Sequence, residues 1–95
     1  TIVLVFASAD WANNVKDASL VLGTMMLAAH SIGLASCWIN REDTMFASER
    51  GKQLMKQFGL PDGLVGVGAL ALGYGADGGA HAPKSRKTDY YKVVK

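Results

Sequence analysis

The chain has 95 residues, 49% of them apolar and 19% charged, with a formal net charge of +2. That apolar content argues against a disordered segment, and the low charge, without aromatics interleaved among the cations, argues against a nucleic-acid groove. No apolar run reaches the roughly 18–20 residues of a membrane span, and no signal peptide is visible.

At this length the chain is one small domain at most, burying roughly 60–65% of its unfolded surface. Its one cysteine, Cys37, rules out an internal disulfide and favours a reducing, cytoplasmic setting. The charge is uneven. Residues 1–83 carry five Lys/Arg against seven Asp/Glu, and residues 84–95 carry five against Asp89 alone.

Thr1–Ala7 is β-branched and apolar without alternation, which predicts a strand buried on both faces. The sequence enters this strand with no initiator Met or leading loop, so it reads as a piece of a longer protein. Asp10 to Asn14 predicts a polar turn. A helix follows from Asn14 or Asp17 to His30 or Ser31, with Ala18, Val21, Leu22, Met25, Ala29 and Ile32 at helical spacing. Leu20 and Leu27 fall on its other side, so the helix is central or packed at a subunit interface. Gly23 would let a neighbour approach closely, and Gly33 is a C-terminal stop.

Ala35–Ile39 predicts a second strand, and Asn40 to Thr44 a charged turn. A helix from Ser48 to Phe58 follows, with Ser48 as N-cap and Leu54, Met55 and Phe58 as its apolar stripe. Gly59 ends it, and Pro61-Asp62-Gly63 turns the chain. Leu64–Tyr74 is a third strand whose alternating small residues predict one face lying against another element. Gly75–Ala82 is a Gly/Ala-rich connector, Pro83–Lys87 is basic, and Tyr90–Val94 can form a terminal strand with no local partner. The order indicates an α/β or α+β sheet with helices packed on it.

The Gly66/Gly68/Gly73/Gly75 series is not a dinucleotide fingerprint, because those glycines lie within a strand rather than between strand and helix. His30, His81 and Cys37 lack metal-ligand spacing. His30 suits a helix dipole or a core position, and Cys37 reads as an inert, strand-buried thiol. Glu42, Asp43 and Glu49 fit capping and solubility, and no acid–base pair stands out.

Two features remain. Trp38-Ile39-Asn40 ends a strand and could wall a flat ring, with the backbone N–H of Asn40 or Arg41 facing it; such a Trp can equally be core. Lys84 and Arg86, two apart on an extended segment, point to the same side and could share one phosphate. The same run can equally be a solvated tail.

Taken with the helix Asp17–Ser31, the run Gly33–Asn40, Ser48–Lys52, Ala71–Tyr74 and Pro83–Lys87, the chain resembles the C-terminal half of an FMN-dependent nitroreductase. The resemblance implies that residues 1–95 are the C-terminal part of a single domain whose N-terminal half lies outside them. It implies a mixed sheet flanked by helices and a homodimer whose C-terminal strand crosses to the partner. Trp38, Ile39, Asn40 and Arg41 would line the flavin ring, with Asn40 or Arg41 N–H near N5, and Lys84 and Arg86 would hold the phosphate. NAD(P)H would reduce the FMN, which would then reduce a nitroaromatic, quinone or similar small acceptor in ping-pong order. Many relatives carry a small residue where this chain has Asn40-Arg41, and this cation would favour anionic acceptors. Residues 1–95 by themselves are not expected to hold FMN stoichiometrically. The competing readings are a non-catalytic dimerisation domain without flavin and a thiol enzyme using Cys37.

Overall fold

The computed structural model describes residues 1–95. In chain order the elements are β1 (Ile2–Ser8), α1 (Asn14–Ser31), β2 (Ala35–Ile39), α2 (Glu42–Ala47), α3 (Glu49–Gln57) and β3 (Leu64–Gly73). The sheet order is β1-β3-β2, with β3 antiparallel to both neighbours. β1 and β2 therefore run in the same direction one strand apart, and α1 crosses between them. The last strand in sequence occupies the central place in the sheet.

Local chemistry sets the helix ends. At the end of α1, Gly33 takes φ +80°. Its N–H donates to the His30 carbonyl at 3.1 Å, and the Leu34 N–H donates to Ala29 at 2.9 Å. This is the paired bonding of a left-handed stop, which a residue without Cβ adopts freely. The end of α3 repeats it: Gly59 (φ +71°) donates to Lys56 at 3.0 Å and Leu60 to Met55 at 3.1 Å. α3 begins at Ser48, whose hydroxyl oxygen accepts the Gly51 N–H at 3.0 Å.

The core lies on both faces of β3. Val5 pairs with Gly68, and a Cβ on Gly68 would sit 2.7 Å from Leu22 Cδ1, so α1 packs on that face. Phe6, the next residue of β1, points to the other face, where its ring meets Phe46 of α2 edge-on at 4.8 Å. It pairs with Gly66 rather than Val67, so one residue of β3 bulges out of the ladder. Gly66 there lets the backbone of Glu42 come close, 2.6 Å from where a Cβ would be. The alternation of small residues in β3 thus serves two helices, one on each face.

Several expectations change. β1 is an edge strand, half-buried rather than buried on both faces. The expected turn Asn40–Thr44 instead opens α2, nucleated where the Arg41 carbonyl accepts from Met45 N–H at 2.9 Å. Gly23 has nothing within 4 Å of a Cβ position, so no neighbour within the chain exploits it. Tyr90–Val94 pairs with no strand of its own chain, and no helix or strand follows Gly73.

α1 buries Ala18, Leu22 and Ala29 but leaves Leu20, Leu27 and Ile32 between 71% and 74% exposed. The accessible surface is 7775 Å², against about 5,300 Å² for a compact monomer of this mass. The radius of gyration, 16.7 Å, likewise exceeds the roughly 12 Å of a compact chain of this length. The irregular residues after Gly73 carry part of the excess; apolar helix surface carries another part. No helix is long and apolar enough to cross a membrane.

Candidate functional site

β2 positions the first group of candidate residues. Trp38 pairs with Leu70 and Ile39 with Ala69, so the two side chains point to opposite faces. Trp38 and Ile39 do not form one wall; what they share is the end of the strand. The Trp38 indole is half-buried on the α1 face, its Nε1 2.9 Å from where a Cβ of Gly68 would lie.

Beyond Ile39 the backbone donors differ. The Arg41 N–H donates to Glu42 Oε2 at 3.0 Å. The Arg41 carbonyl accepts from Met45 N–H at 2.9 Å and from the Thr44 hydroxyl at 3.1 Å. Arg41 is thereby pinned on both sides. Asn40 is exposed, and its N–H has no partner in the chain. Glu42, which the sequence places among solubilising residues, is only 4% exposed. Its carboxylate turns back to satisfy the donor of the preceding residue. The sequence signal was the acidic pair Glu42-Asp43 ahead of Met45-Phe46, a helix start easily taken for a turn.

The second group lies on the tail. Lys84 and Arg86 are exposed and make no ion pair; the single salt bridge joins Lys52 to Glu49. Ala35 pairs with Gly73, and a Cβ on Gly75 would lie 3.9 Å from Ala35 Cβ. The tail therefore leaves the sheet at the Ala35 end, opposite Asn40. Neither of the chain's two main clefts unites the two groups. A cleft of about 550 Å³ lies between α2, α3 and the turn before β3; Phe46, Lys52, Lys56 and Leu60 help to line it, and none of the six candidates does.

Cys37 is exposed rather than buried, with its sulfur 3.7 Å from the Trp38 carbonyl oxygen. No group of three or more His, Cys, Asp or Glu side chains converges on a metal-sized space. The strand end thus offers a free backbone donor beside a held indole, and the tail offers two unpaired cations.

Residues 1–74 match the Nitroreductase family. A search of curated proteins found no match. Among solved structures, an FMN-bound nitroreductase from Bacteroides fragilis NCTC 9343 is 30% identical with a TM-score of 0.88, over 99% of this chain and 50% of its own. An FMN-bound nitroreductase from Desulfitobacterium hafniense DCB-2 shares the fold at 23% identity and TM-score 0.81, with the same coverage of both chains. An FMN-dependent nitroreductase from Clostridium difficile R20291 is 25% identical with TM-score 0.63, over 98% of this chain and 55% of its own. The chain spans about half the length of these structures. The family match runs from β1 to the end of β3 and takes in every strand and helix of the sheet described above: the chain belongs to the nitroreductase family.

Proposed function

We propose that this chain is the C-terminal half of an FMN-dependent NAD(P)H oxidoreductase that reduces a nitroaromatic, quinone or similar small acceptor. The observation that carries the reading is the unpartnered Asn40 N–H at the end of β2, in a chain whose family and FMN-bound neighbours are nitroreductases. FMN, when bound, would supply the redox chemistry between NAD(P)H and the second substrate, in ping-pong order.

The chain's own residues bind and orient. Asn40 N–H serves the N5 edge of the ring, since Arg41 N–H is already engaged by Glu42. Trp38, wedged over Gly68, fixes the strand end that presents this donor. Ile39 contributes apolar contact from the opposite face of the same strand end. Lys84 and Arg86 would hold the phosphate, the residues between Gly73 and Lys84 being long enough, at roughly 3.3 Å each, to carry them back along the sheet. No side chain at this end of the sheet needs to act as a catalytic acid.

The protein works as a homodimer on this reading. The exposed apolar residues Leu20 and Leu27 of α1, Ile32 just beyond it and the unpaired segment Tyr90–Val94 are its interface, the segment adding to a partner's sheet. The excess surface, on the order of 2,000 Å², is shared on this reading between the partner, the N-terminal half of the domain and the irregular residues after Gly73. A single cysteine agrees with a cytoplasmic setting.

The test is a spectrum of the full-length protein. Flavin absorbance that bleaches on anaerobic addition of NADH or NADPH is expected. A colourless protein that takes up no added FMN would sink the reading and leave a dimerisation domain in its place.

A further inference from the structure

We propose that the guanidinium of Arg41 selects acceptors that carry a carboxylate or similar negative charge beside the reducible group. This rests on the oxidoreductase reading above. Arg41 directly follows Asn40, the residue whose N–H is free, so its side chain is rooted one position from the ring-facing donor. Three hydrogen bonds fix that root: Glu42 Oε2 holds the N–H, while Met45 N–H and the Thr44 hydroxyl hold the carbonyl. A cation on a pinned backbone samples a smaller volume than one on a free loop, so more of its charge is delivered to one place.

The guanidinium also lacks a countercharge. Glu42 is buried and engaged on the Arg41 backbone. Asp43 turns its Oδ1 to the Thr44 N–H at 2.7 Å. Neither forms an ion pair with Arg41, and the chain's one salt bridge lies on α3. Lys52 is neutralised by Glu49 there; Arg41 is not neutralised by either acid beside it. An exposed arginine held beside a ring site without an internal partner is suited to a bidentate contact with a carboxylate.

The experiment uses full-length, flavin-loaded protein and two ligand pairs that differ only in charge. Benzoate and benzamide are titrated against the oxidised flavin spectrum to give dissociation constants, and 4-nitrobenzoate and 4-nitrobenzamide are compared by kcat/KM. The expected result is about 3- to 10-fold tighter binding of benzoate, the range of a partly exposed charge-assisted pair, narrowing as salt is raised. Arg41→Gln erases this gap in both measurements, and Arg41→Lys keeps most of it. Equal binding of benzoate and benzamide by the unaltered protein overturns the proposal, as does a gap that survives Arg41→Gln. Should Arg41→Gln fold poorly, the benzoate–benzamide comparison and its salt dependence in the unaltered protein still decide. A protein without flavin bands before any ligand is added overturns the oxidoreductase reading itself, and this one with it.

Discussion

The Trp38 indole occupies the space that a side chain at position 68 would fill, its Nε1 2.9 Å from where a Cβ of Gly68 would stand. Leu22 of α1 reaches the same space from above, with Cδ1 2.7 Å from that point. One missing side chain thus lets a helix, a central strand and an indole meet. The strand end that carries Asn40 is held in place by that contact.

Gly68→Ala is expected to destabilise the full-length protein by about 1–3 kcal/mol, because the ring and Leu22 must both move. Gly66→Ala should cost at least as much, since its Cβ would meet the backbone carbonyl of Glu42, which cannot rotate away. Gly73→Ala meets nothing within 4 Å and should stay within about 0.5 kcal/mol. Urea denaturation of the three variants checks the order, and equal effects at 66, 68 and 73 would contradict the packing.

Ser48→Ala removes the oxygen that accepts the Gly51 N–H. A loss of about 1 kcal/mol is expected. Ser48→Asp, which retains an acceptor, should recover most of it. Thermal unfolding of both variants reads this directly.

Two substitutions at Asn40 separate backbone from side chain. Asn40→Ala keeps the N–H and should retain FMN affinity within a few-fold. Asn40→Pro deletes the donor and should weaken FMN by roughly 10-fold, the worth of one well-placed hydrogen bond. Flavin fluorescence titration of apoprotein gives both constants; similar losses in the two variants would assign the role to the side chain instead.

Lys84→Ala and Arg86→Ala should each lower FMN affinity, and the loss should shrink as salt rises. Riboflavin, which lacks the phosphate, should bind both variants as it binds the unaltered protein. Parallel titrations with FMN and riboflavin test whether these cations read phosphate.

Cys37→Ala should leave flavin reduction by NAD(P)H and acceptor turnover intact. The thiol is exposed, and its nearest polar contact is the Trp38 carbonyl, an arrangement that does not activate a nucleophile. Stopped-flow reduction would check this, and abolished turnover would restore the thiol-enzyme reading.

Features that depend on contacts a few residues long are legible in the amino acids alone. Gly33 and Gly59 end their helices, Ser48 begins one, and the small residues of β3 announce a close approach, because each of these follows from local bonding or from side-chain size. The resemblance to nitroreductases was legible for the same reason: it rests on the order and spacing of such signals. The remaining features arise from long-range packing. α2 has no periodic sequence signature, because six residues with one buried aromatic, Phe46, carry too short a period to read. The central place of β3 is set by pairings between strands about 30 to 70 residues apart, whose partners no local pattern specifies. The burial of Glu42 depends on α2 folding back over Gly66, a contact between segments that no local pattern brings together.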